Sequence, residues 1–174
     1  MKYPLLILTI ILSACSHSSS PNYEEMADKI TYATAKKLRS EKNLRLIGTG
    51  GGMMHSIRMM AMSFVFKHEI TIEEGRELLV AAVSEYVAAV NANEKIRPFL
   101  ANYPFEPKNV EIQIFIHNPD NSCMPHGKIC VIGAIDGILD YDIRDSETDL
   151  LKEIYRETYE EALQAMRLKN EQKE

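Results

Sequence analysis

The chain has 174 residues, 45% of them hydrophobic and 26% charged, with a formal net charge of −5. That balance excludes a collagen, a coiled-coil rod and a low-complexity disordered chain, and the length fits one domain with a sizeable core. The acidic excess argues against nucleic acid as a partner, since nucleic-acid binders carry a basic surplus.

Lys2 supplies a short positive start, and Leu5 to Leu12 form an apolar run broken only by Thr9. The run is well short of the roughly 20 residues needed to cross a bilayer and has the make-up of a signal-peptide core. Small residues Ser13 and Ala14 follow, and then Cys15.

Leu12-Ser13-Ala14-Cys15 resembles the lipobox of bacterial lipoproteins. The resemblance implies that residues 1–14 are a lipoprotein signal peptide cleaved before Cys15. It further implies a diacylglyceryl group on the Cys15 thiol and an acylated new amino terminus. Two or three acyl chains anchor stably where a single chain is marginal, at about 0.8 kcal/mol per buried methylene. Ser16 stands where many such proteins carry an Asp that retains them at the inner membrane. The expected destination is therefore the outer membrane, lipid-anchored and facing the periplasm. Residues 15–21, polar and serine-rich, read as a lipidated tether.

Residues 22–168 are predicted as a single domain and 169–174 as a charged tail. Asn22 to Lys42 reads as a helix, with Asn22 and Glu25 in capping-box positions. Leu44 to Ile47 is a short strand candidate, stopped by Gly48-Thr49-Gly50-Gly51-Gly52. Ile57 to Lys67 fits either period, but its aromatic and β-branched end favours a strand with Met60, Met62, Phe64 and Phe66 on one face.

Thr71-Ile72-Glu73-Glu74 is a capping box. It opens a helix with a broad apolar face of Leu78, Leu79, Ala82, Val83, Tyr86, Val87 and Val90, ending near Asn91 to Asn93. Val110, Ile112, Ile114 and Ile116 alternate with Glu111, Gln113, Phe115 and His117, which predicts a half-buried strand. Lys128 to Ile135 and Ile138 to Arg144 flank Asp136-Gly137, a hairpin with a two-residue turn. The pairing places Cys130, Ile132 and Ala134 with Leu139, Tyr141 and Ile143 on one face, and Asp140, Asp142 and Arg144 on the other. Residues 146–168 are predicted as a final amphipathic helix using Leu150, Ile154, Thr158, Ala162 and Ala165. The order α-β-β-α-β-β-β-α gives an α+β domain, an antiparallel β-sheet with amphipathic helices packed on one side.

Several constellations bear on chemistry. Cys123 and Cys130 lie close in sequence and are a candidate disulfide in an oxidising periplasm; two free thiols remain the alternative. His117, Cys123, His126 and Cys130 together offer a donor set for zinc or copper, although the spacing is not that of a zinc finger. Met53, Met54, Met59, Met60 and Met62, with His55, invite a cuprous-copper reading, but strand alternation would scatter them and core packing accounts for them better. The glycine run lacks both a dinucleotide fingerprint and a Walker lysine, so a turn or bulge explains it. Asp136, Asp140, Asp142 and Asp145 lack the glycine-centred loop of a calcium site and read as a solvated face. Arg97 to Pro107 concentrates prolines and aromatics, and Phe99, Tyr103 and Phe105 are candidates for a partner surface, or else for a packed loop.

No G-x-S-x-G elbow or HExxH helix appears, and no cofactor is implied. The expectation is a lipid-anchored envelope accessory domain acting by protein binding or assembly. Its partners would be the membrane, through Cys15, and another envelope protein. A periplasmic small-ligand or metal-binding lipoprotein is the alternative, and an envelope hydrolase comes third.

Overall fold

The computed structural model describes residues 23–171, the side chain of Asn170 excepted. The expected signal peptide (1–14), Cys15, the expected tether (15–21) and Asn22 lie outside the described residues, as do the last three. The chain runs α1 (Tyr23–Lys42), β1 (Arg45–Gly52), β2 (Met59–Phe66), α2 (Ile72–Ala92), β3 (Val110–Ile116), β4 (Ile129–Ile135), β5 (Ile138–Arg144), β6 (Leu151–Thr158) and α3 (Tyr159–Glu171). The domain is α+β, with one six-stranded sheet in the spatial order β1-β2-β3-β4-β5-β6 and the helices packed on one face.

Alternation along the strands builds that face. Met60, Met62 and Phe64 of β2, Ile112 and Ile114 of β3, Ile132 of β4, and Leu139 and Tyr141 of β5 are all buried against the helices. Burial of each such side chain stabilises by roughly 1.5–3 kcal/mol. α2 lies across β3, β4 and β5, as its broad apolar face requires, with α1 over β1 and β2. Its start is the expected capping box: the Glu74 N–H donates to Thr71 Oγ1 at 3.2 Å, and the Thr71 N–H donates to Glu74 Oε2 at 2.8 Å. Gly75 lets this helix approach the sheet, because a Cβ there would stand 3.0 Å from Tyr141 Cε1. The β4–β5 hairpin turns on Asp136 (φ 50°) and Gly137 (φ 75°), the left-handed pair that the sequence predicts.

The structure departs from the sequence reading in five places. The sheet is mixed: β2 and β3 run parallel, because α2 and the loop after it return the chain to the end from which β2 began. The glycines do not stop the first strand but form its second half. Gly48, Gly50 and Gly52 lie opposite Ser63, Ala61 and Met59, after a register shift between Leu46 and Gly48. Cys130 packs half-buried against the core but not at the regular pairing position expected for it, because the β4–β5 ladder slips there. Ile129 pairs with Ile143 and Val131 with Asp142, leaving Cys130 as the extra, half-buried residue.

The predicted helix over 146–168 is a turn, the sixth strand and only then a helix. Asp145 Oδ1 accepts from the N–H groups of Glu147 and Thr148, and the Asp145 N–H donates to Leu150 O, closing a hairpin into β6. Finally, residues 169–171 of the predicted charged tail continue α3.

Candidate functional site

The segment between α2 and β3 is stitched down from several sides. Asn91 holds Phe105 by both backbone groups: the Phe105 N–H donates to Asn91 Oδ1 at 2.7 Å, and Asn91 Nδ2 donates to Phe105 O at 2.8 Å. Asn109 Nδ2 donates to Arg58 O at 3.1 Å, and its Oδ1 accepts from the Glu106 N–H at 3.0 Å. Phe105 is 1% exposed and belongs to the core, so the expected partner surface does not include it. Phe99 is half-buried and stacks on Tyr23 with ring centroids 5.4 Å apart, which also suits a packing role. Of the three aromatics Tyr103 alone is exposed, at 53% and under the Arg97 guanidinium. The loop is chiefly structural.

Cys123 and Cys130 are free thiols here, not a disulfide. Cys130 Sγ points to Asp142 O at 3.6 Å. Burial pushes its thiol pKa up, which makes it a poor nucleophile. Both cysteines nevertheless line one cavity of about 180 Å³, with His117, Met124, Arg144 and Leu151. The predicted metal set does not converge. His126 Nε2 lies 3.0 Å from Asp149 Oδ1, and His117 Nδ1 lies 3.2 Å from the Asn121 carbonyl oxygen, to which it donates. Among the described residues no three His, Cys, Asp or Glu side chains stand together to hold an ion. The methionines do not converge: Met60 and Met62 of β2 are in the core, while Met54, in the bend between β1 and β2, is exposed.

On the face away from the helices, Asp140 lies over Gly133, where a Cβ would stand 3.0 Å from its carboxylate oxygens. Burial raises the pKa of both Asp140 and Asp142, which stand two residues apart on β5, with Glu153 adding to the rise and Arg156 opposing it.

The feature absent from the sequence reading is β6 itself. Among the described residues it is an edge strand, paired only with β5, and six consecutive residues from Leu151 to Arg156 are exposed. Leu150 (68%), Leu151 (56%), Ile154 (43%) and Tyr155 (37%) are large apolar side chains left in water along it. Natural edge strands are normally blunted, and a clustered apolar strip on one marks an interaction site. The strand is held rigidly from its inner side. Glu157, 6% exposed, accepts from Arg76 Nε at 2.8 and 3.0 Å and from the Tyr141 hydroxyl at 2.8 Å, while the Arg76 guanidinium lies 5.9 Å from the Tyr155 ring.

One signal in the sequence marks where β6 ends. Thr158-Tyr159-Glu160-Glu161 is a capping box, with the Thr158 N–H donating to Glu161 Oε2 at 2.7 Å and the Glu161 N–H to Thr158 Oγ1 at 3.2 Å. No protein-family model matches the chain, and comparisons with curated proteins and with solved structures give no match, so the reading of the site rests on its own geometry.

Proposed function

We propose that the chain is a lipid-anchored envelope protein, held at the outer membrane through Cys15 and facing the periplasm, whose folded domain acts by binding protein. The observation that carries the binding role is the exposed apolar strip Leu150, Leu151, Ile154 and Tyr155 on an unpaired sheet edge. Such an edge offers unpaired backbone N–H and C=O groups for strand addition, with side chains on both faces to set specificity. Arg76, Glu157 and Tyr141 favour the same reading, because they fix the strand before a partner arrives and so reduce the ordering cost of association.

The anchor rests on the Leu12-Ser13-Ala14-Cys15 pattern. It is tested by the intact mass of full-length protein taken from the membranes of its source cell. The expected mass is that of a chain beginning at Cys15 plus two or three acyl chains, and Cys15→Ser should move the protein out of the membrane fraction. An unmodified Cys15, or membrane association unchanged by the substitution, would overturn the anchor.

A further inference from the structure

The geometry points to a second copy of this chain as the occupant of the β6 edge, in an antiparallel β6–β6 seam that joins two sheets into one. This deepens the reading of β6 as a binding edge and rests on it. The phase of the β5–β6 ladder is fixed at both ends. The Asp145 N–H donates to Leu150 O, and the Tyr159 N–H donates to Gly137 O. Counting inward by alternation, Leu150, Lys152, Tyr155 and Glu157 turn their backbone groups toward β5. Leu151, Glu153, Arg156 and Thr158 turn theirs outward. The two counts meet at Ile154, the extra residue where Tyr141 pairs with Tyr155 and Asp142 with Glu153.

Because of that bulge, the outward positions are spaced symmetrically about the Ile154–Tyr155 bond. A two-fold axis perpendicular to the sheet at that point sets Glu153 opposite Arg156 of the second copy, and Arg156 opposite its Glu153. Leu151 then faces Thr158, whose N–H is already given to Glu161 Oε2, so the backbone bonds of the seam run between Glu153 and Arg156, while Ile154 and Tyr155 meet each other across the centre. An isologous contact needs a patch complementary to itself, and this strand has one in charge, hydrogen-bond phase and apolar content. Glu153 and Arg156 already pair within the chain, with Arg156 Nε donating to Glu153 Oε2 at 2.8 Å. Both lie on the side of the sheet away from the helices, opposite Asp142 and Asp140 of β5, so the cross-seam pair forms where the two side chains already stand.

The test is sedimentation velocity of the full-length chain in mild detergent, with Glu153→Arg and Arg156→Glu each alone, together in one chain, and as an equimolar mixture of the two single variants. The parent is expected to be dimeric. Each single reversal places like charges opposite each other twice, and should weaken association by about tenfold or more. The doubly reversed chain and the mixture both restore opposite charges, and should recover the dimer. Circular dichroism checks that the exposed substitutions leave the fold intact. A monomeric parent, or a mixture no more dimeric than its components, would overturn the seam. If the parent is monomeric while a photoreactive residue at position 154 crosslinks to a different protein in cells, the self-pairing fails and the binding edge stands. If position 154 also crosslinks to nothing, both fail.

Discussion

Arg76 is the residue through which α2 holds β6, and Arg76→Met should expose how much the edge depends on it. The Arg76 side chain is 14% exposed and that of Glu157 5%, joined by hydrogen bonds of 2.8 and 3.0 Å. Methionine keeps most of the side-chain volume but leaves a buried carboxylate with only the Tyr141 hydroxyl as donor. Removing one partner of a buried pair typically costs about 3–5 kcal/mol, and the surviving Tyr141 bond places this case near the lower end, at about 3 kcal/mol. For a domain of this size that is a fall in melting midpoint of roughly 6–12 °C. Replacing the whole group, as Arg76→Met with Glu157→Leu and Tyr141→Phe, removes the orphaned charge and its donor together, and should recover most of the loss. Urea unfolding followed by circular dichroism, compared at equal m-values, gives the free energies. A single-variant loss below about 1 kcal/mol, or a triple variant no better than the single one, would refute the argument that the buried pair secures the strand.

Four further outcomes follow from particular side chains. Phe105→Ala should cost about 3–5 kcal/mol in the same unfolding experiment, whereas Tyr103→Ser should change stability by less than about 0.5 kcal/mol, separating the core aromatic from the exposed one. Thr34 is buried and its hydroxyl has no hydrogen-bond partner among the described residues. Thr34→Val should therefore be neutral or stabilising by up to about 1 kcal/mol, and a clear loss would mean that the hydroxyl has a bond. Asp140 has a raised carboxyl pKa in the fold, burial being the main cause, so the native state binds its proton more tightly than the unfolded chain and stability falls as pH rises through that window. Asp140→Asn should then raise the melting midpoint at pH 7, with the gain fading as pH drops toward the ordinary aspartate range near about 4; a gain independent of pH would contradict the linkage. Cys123 and Cys130 line the same cavity, and mild oxidation of the full-length protein is expected to join them, read as a mass two units lower that is absent in Cys123→Ser. Two independently alkylated thiols after oxidation would rule the pairing out.

Where local signals agreed with one another, the sequence was readable. The Thr71–Glu74 box and the apolar face behind it locate α2, and the alternation from Val110 to Ile116 locates β3. Asp136-Gly137 closes its hairpin because both positions need a left-handed backbone. The misreading at 146–158 has a physical cause. Leu150, Ile154 and Thr158 recur every four residues, which fits a helical stripe, and the bulge at Ile154 breaks the period of two by which the strand would have been told apart. The capping box at Thr158 was the counter-signal, since a helix that begins at Tyr159 cannot already be running at Leu150.

Phe105 stayed open between a partner surface and a packed loop because its proline-rich neighbours fit both. Its burial is set by Asn91, 14 residues away, gripping its backbone. The parallel β2–β3 pair depends likewise on where the chain goes after α2, which no local pattern states. As for function, the cysteines and the anchor pattern were visible as residues. The exposed edge was not, because it exists only once β6 is a strand and, among the described residues, nothing lies beyond it in the sheet.

Photocrosslinking from position 154 in living cells, with the same probe at Met54 (79% exposed and away from β6) as the control, tests the central claim most directly. The account predicts protein adducts from position 154, including a species at twice the mass of the chain, and few or none from position 54. Equal labelling from the two positions, or none from 154 with the protein present at its normal level, would contradict the reading of β6 as the working surface of the molecule.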